Sequence, residues 1–96
     1  MAYQIIYSPR SLADLDEIVD YIADDNPQAA ARFRETLIDL VDELRDFPEM
    51  GGTYSKYSNV RRLVHNPAAI YYRIRRRRKI VDIVHIRHSK RKPPPF

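Results

Sequence analysis

Two short steps, Ser8-Pro9 and Asn26-Pro27, constrain this chain more than any other feature. In each, a residue whose side chain caps helices is followed by a proline. Proline fits the first helical position because no N–H is needed there. After the first step Leu12, Leu15, Ile18, Val19 and Ile22 recur at helical spacing, with Asp14, Asp16, Glu17 and Asp20 between them. After the second, the apolar stripe is Phe33, Leu37, Leu40, Val41 and Leu44, and Pro48, Gly51 and Gly52 end it. Helices that meet at Asn26-Pro27 have almost no connection between them, and short connections make antiparallel neighbours. A helical hairpin over about residues 9–47 is expected.

The flanks read as strands. Residues 3–7 (YQIIY) are rich in β-formers and make a first strand. Gly51 to Asn59 is polar and reads as a loop. Three β-rich runs follow at 60–65, 69–75 and 80–87, with Asn66-Pro67 turning the first into the second and the 75–79 run RRRRK at the tip of the second hairpin. By strict alternation Ile80, Val84 and Ile86 share one face of the last strand, and Val81 and Ile83 the other. Both sets are apolar, which suits a central strand covered at least in part on both faces. Tyr71 and Tyr72 point to opposite faces. Tyr72 joins Ile70 and Ile74 in the core, and Tyr71 joins Arg73 and Arg75. The expected fold class is α+β, in the order β-α-α-β-β-β, with the helical hairpin packed on one mostly antiparallel sheet. The first strand is expected to pair inside that sheet, since its backbone groups need partners. One domain spans 1–96, with C-terminal strands over about 60–88 and a basic, proline-rich tail at 89–96.

A 96-residue chain buries a modest core, which leaves little room for a deep, enclosed small-molecule cleft. There is no cysteine, so disulfides, thiolate chemistry and cysteine metal sites are excluded. Neither a signal peptide nor an apolar run of membrane-spanning length is visible. The charge is sharply divided. Residues 1–50 carry four Lys/Arg against twelve Asp/Glu, a net −8; residues 51–96 carry thirteen against Asp82 alone, a net +12. A chain so polarised presents a positive face to anionic partners. The exposed side of the helical hairpin is acidic, which argues against a role on anionic membranes.

The run Asp14-Leu15-Asp16-Glu17-Ile18-Val19-Asp20-Tyr21-Ile22-Ala23, then Asn26-Pro27, Ala29-Ala30 and Arg32-Phe33, resembles the helical hairpin of ParE-type toxins. Phe47-Pro48-Glu49-Met50-Gly51 resembles its end, and Ser8-Pro9 its start. Val60-Arg61-Arg62 and Ile70-Tyr71-Tyr72-Arg73-Ile74 are similar to the family's second and third strands. The run 81–86 followed by Arg87-His88-Ser89-Lys90-Arg91 resembles its last strand and its usual histidine-glycine-arginine-arginine ending. Three departures stand out: Ser89 replaces a common glycine, Lys92 a common aspartate, and the RRRRK tip is more basic than the usual turn. The resemblance covers nearly the whole chain. It implies a toxin of the ParE/RelE superfamily of type II toxin–antitoxin systems, closest to the ParE-like, plasmid-stabilisation toxins. Such a toxin works in the cytoplasm, inhibits DNA gyrase and growth, needs no cofactor, and is neutralised by a cognate antitoxin in a hetero-oligomer. The alternative it implies is a RelE-like endoribonuclease that cuts messenger RNA on the ribosome.

The residues bear on that choice. RNA cleavage needs a base, an acid and positive charge near the phosphate. His85 and His88 titrate in the right range, and Arg61, Arg62, Arg73 and Arg87 supply charge. The ribonuclease set is therefore His85, Arg87, His88 and Arg61. Strand histidines are more often packing or surface residues than catalysts, and His65, just before a turn, reads as surface. His85 and His88 are three apart, which turns them to opposite faces of a strand, and no nearby carboxylate completes a metal site. The RRRRK run is read equally as a solvated tip or an anion-binding one. For target binding the candidates are Arg61, Arg62, Tyr71, Arg73, Arg87, His88, Lys90 and Arg91. An inhibitory binding protein needs such a surface and no catalytic group.

Overall fold

The computed structural model describes residues 2–92 and Pro94. The elements are β1 (Gln4–Tyr7), α1 (Pro9–Asp25), α2 (Pro27–Asp42), a 3-10 turn (Glu43–Arg45), β2 (Gly52–Ser55), β3 (Val60–His65), β4 (Ala68–Arg75) and β5 (Ile80–His88). The helices lie on one face of a five-stranded sheet in the order β1-β5-β4-β3-β2. Every pairing is antiparallel except β1 with β5.

Both proline steps act as the sequence indicates. Ser8 Oγ accepts the Ser11 N–H at 3.0 Å and also donates to the Val84 carbonyl at 3.0 Å, so one hydroxyl caps α1 and ties it to β5. Asn26 serves two helices. Its backbone N–H closes α1 on the Ile22 carbonyl at 2.8 Å, and its Oδ1 caps α2 by accepting the Ala29 N–H at 3.1 Å. Caps of this kind stabilise a helix by about 1 kcal/mol each.

The core lies between helices and sheet. Leu15, Ile18, Phe33, Leu37, Val41 and Leu44 pack on Ile70, Tyr72, Ile74, Val81, Ile83 and Ile86. A smaller cluster of Val60, Ala69 and Tyr71 occupies the other face. Leu12, expected in the α1 stripe, is exposed.

Four details depart from the alternation-based expectation. First, residues 52–55 form an edge strand rather than a loop. The polar sequence GTYS hides it, because an edge strand with little buried surface needs few apolar residues. Second, β1 joins the sheet at its edge, bonded only to β5. Third, β5 carries a bulge. Tyr71 faces His85 while Tyr72 faces Ile83, which leaves Val84 without an opposite number. The extra residue resets the phase. Ile86 therefore joins Val81 and Ile83 in the helix-facing core instead of sharing a face with Val84 and Ile80. Fourth, β5 runs on through His88, which was expected just past the strand end. The proline-rich tail expected at 89–96 lies outside the described residues at 93, 95 and 96.

Candidate binding cleft at the end of the last strand

Beyond Tyr7, β1 ends and α1 takes over the flank of β5. Between them lies a cleft of about 310 Å³ with Ile18 and Ile86 at its apolar base. Arg10, Arg87, Lys90 and Arg91 line it, against the carboxylates of Asp14 and Glu17, so the cleft is net positive. The walls are braced. Arg10 Nε donates to Asp14 Oδ1 at 3.1 Å, and Arg91 Nη2 lies 3.0 Å from Glu17 Oε1. His88 packs edge-on against the exposed ring of Tyr21, with centroids 5.9 Å apart, and its Nδ1 accepts the Lys90 N–H at 3.2 Å. That acceptor role leaves the proton of a neutral ring on Nε2. Arg87 Nε is buried and makes no hydrogen bond to the described residues. A buried donor left so costs free energy until an acceptor arrives.

Four of the candidate residues thus come together here: Arg87, His88, Lys90 and Arg91. Tyr21, Arg10 and Glu17 complete the cleft without having been singled out from sequence. They lie on α1, and the fold brings them to the end of β5 across most of the chain. The i, i+4 pairing of Arg10 with Asp14 was readable in the helical pattern.

The other candidates lie elsewhere. Arg61 points its guanidinium at carbonyls, donating to Gly51 O at 2.7 Å and Glu49 O at 3.3 Å. It holds the loop before β2. Arg73 Nε donates to Ser58 O at 3.0 Å and holds the loop after it. Arg62 is exposed on the face opposite the helices, its guanidinium carbon 5.9 Å from the Tyr54 ring centroid. Tyr71 is on that face as expected, yet buried at 2% exposure. Tyr54, from the strand that was not foreseen, packs edge-on against it at 5.1 Å. His85 stands opposite Tyr71 in register, with Nδ1 3.5 Å from Asp14 Oδ2. The row Arg62, Tyr71, His85 crosses three strands. Arg61 and Arg62 do not neighbour β5, because β4 intervenes. His65 is half-buried rather than free on the surface. It stacks on Phe33 and is 2.9 Å from the Thr36 hydroxyl.

Comparison with known proteins places this arrangement. The toxin RelE2 of Caulobacter vibrioides is 37% identical over 90 residues, covering 92% of this chain and 97% of the relative. Among solved structures, a chain of the chromosomal ParDE toxin–antitoxin system from P. aeruginosa superposes with a TM-score of 0.77 at 22% identity, covering 91% of this chain and 96% of its own. The E. coli toxin RelE, as a double arginine-to-alanine mutant in the free state, gives 0.69 at 14% identity, covering 94% and 86%. The family described as the ParE toxin of the type II toxin–antitoxin system parDE matches residues 5–93. This chain is therefore a member of the ParE toxin family, within the ParE/RelE superfamily of type II toxins.

Proposed function

We propose that this toxin stops growth by binding DNA gyrase rather than by cutting RNA, and that a cognate antitoxin neutralises it by covering the same basic surface. The observation that carries the reading is the cleft. It joins an apolar base, an exposed tyrosine and four cations, one with a buried donor still to be satisfied. Such a combination suits a contact surface: aromatic and arginine side chains are the residues on which interfaces most depend. Of the ribonuclease set only Arg87 and His88 line the cleft, and Arg61 and His85 lie outside its lining. Arg61 and Arg73 hold loops through backbone carbonyls, and each histidine is engaged in packing or pairing.

The antitoxin follows from charge. An acidic amphipathic segment would be steered to residues 61–92 by the positive half of the chain. Its binding should weaken as salt rises.

A second reading, the ribosome-dependent endoribonuclease, draws on the cross-strand row Arg62, Tyr71, His85. One paired experiment separates the two. The purified toxin is added to a gyrase supercoiling assay and to an in vitro translation reaction. Loss of supercoiling with intact messenger is the expected result. Cleaved messenger with normal supercoiling would overturn it.

A further inference from the structure

The hairpin joining β4 to β5 turns on Arg76, Arg77, Arg78 and Lys79, with Arg75 just before them, and all five are exposed. Two are neutralised within the chain. Arg75 grips Asp82 through two donors at 2.6 and 3.0 Å, and Arg76 Nη1 donates to Glu49 Oε1 at 3.0 Å. Lys79 Nζ sits 5.5 Å from the centroid of the Tyr3 ring and makes no ion pair among the described residues. Arg77 and Arg78 make no hydrogen bond or ion pair among the described residues. Three consecutive cations on one tight turn thus have no acid beside them among the described residues, and like charges so close in the chain repel. A polyanion relieves that repulsion.

We propose that this tip docks on duplex DNA, with Arg77, Arg78 and Lys79 against its phosphates. The support is stiff. Paired residues run the length of β4 and β5, from Ala68 opposite His88 to Arg75 opposite Ile80. The Gln4 N–H bonds the Lys79 carbonyl at 2.8 Å, and the Lys79 N–H bonds the Arg76 carbonyl at 3.3 Å. Cations on a pre-ordered turn lose little freedom on binding. Single-stranded nucleic acid is captured by stacking bases on open aromatic rings, and the ring at this tip, Tyr3, is half-buried under Lys79. Duplex DNA has a narrow minor groove whose focused negative potential attracts arginine, whereas the minor groove of duplex RNA is wide and shallow. The tip lies at the opposite end of β5 from the cleft, so the proposal stands apart from the gyrase reading.

The test is fluorescence anisotropy of a labelled duplex of about 20 base pairs, titrated with the full chain over a series of salt concentrations. The wild type should bind with a steep salt dependence. Exchanging both arginines, Arg77→Gln with Arg78→Gln, should weaken binding roughly tenfold at low salt and lower the log–log salt slope by about two. The charge-matched control, Arg32→Gln with Arg34→Gln on exposed α2 positions, should keep the wild-type slope. An unchanged slope in the tip variant would overturn the proposal, since charge elsewhere would then carry the binding. So would a wild type that ignores the duplex, or one that prefers duplex RNA or anionic vesicles.

Discussion

Asp14 and Ile86, 72 positions apart, are joined by a hydrogen bond in which the Ile86 N–H donates to Asp14 Oδ2 at 3.2 Å. The carboxylate stands where a strand would continue if β1 were longer. A helix side chain thus completes the edge of β5 and fixes the floor of the cleft. Replacing Asp14 with alanine leaves a buried N–H without a partner and should cost about 1–3 kcal/mol. Asp14→Asn keeps an oxygen acceptor and should cost less, because the Arg10 partner is largely exposed and such pairs contribute little. Urea unfolding gives the energies, and hydrogen exchange at Ile86 locates the effect. Equal losses in both variants would assign the role to charge instead.

Tyr72 should govern the alkaline limit of stability. Its hydroxyl donates to the Pro48 carbonyl at 2.7 Å and accepts the Gly51 N–H at 2.9 Å. Burial raises its pKa above the ordinary 10.0, and the Gly51 hydrogen bond only partly opposes this. Tyr7 is raised for the same first reason. A raised folded pKa means that the unfolded chain ionises first. The contribution is therefore whole below pH 10.0 and is lost as pH climbs through the higher folded value. Tyr72→Phe should lower stability by about 1–3 kcal/mol near neutrality and flatten the fall above that pH. Melting temperature followed across the alkaline range would show a parallel decline in both proteins if the idea is wrong.

Gly51 should tolerate no side chain. A Cβ there would lie 2.7 Å from the Tyr72 hydroxyl and 2.8 Å from the Arg62 carbonyl oxygen, and the second is backbone that cannot swing away. Gly51→Ala should cost about 1–3 kcal/mol by overpacking. Gly52, with open space at the same position, serves as the control: Gly52→Ala should unfold at nearly the wild-type urea concentration.

Growth arrest should depend on positive charge more than on imidazole. Replacing Arg87, Lys90 and Arg91 with alanine removes three of the four cations that line the cleft and should abolish toxicity while circular dichroism shows an intact fold. Exchanging His85 and His88 for glutamine should have a smaller effect, because binding transfers no proton. Loss of a general acid or base typically slows an enzyme ~10²–10⁴-fold. A silent histidine pair with a toxic arginine variant would therefore exclude the gyrase reading.

The parts legible in the sequence are those set by local chemistry. Ser8 and Asn26 cap the helices as written, and Ile70, Tyr72 and Ile74 take the core face. What was hidden is non-local. The bulge at Val84 leaves no mark on the apolar pattern, yet it moves Ile86 to the other face. The burial of Tyr71 depends on Tyr54, which sits on a strand too polar to announce itself. In the candidate cleft, the β5 end and tail were visible as Arg87, His88, Lys90 and Arg91. Its α1 wall was not, because Tyr21 and Glu17 read only as the polar side of a helix.

The parallel pairing of β1 with β5 also sets a clock. Gln4 waits for Ile80, and Ser8 for Val84, 76 positions later. At a ribosomal pace of 5–20 residues per second, roughly 4–15 s pass between the two. Until β5 is made its pairings are missing, and neither the cleft nor the closed β4–β5 hairpin can form. Both basic surfaces are completed only by β5, so neither can meet a partner until that strand has paired.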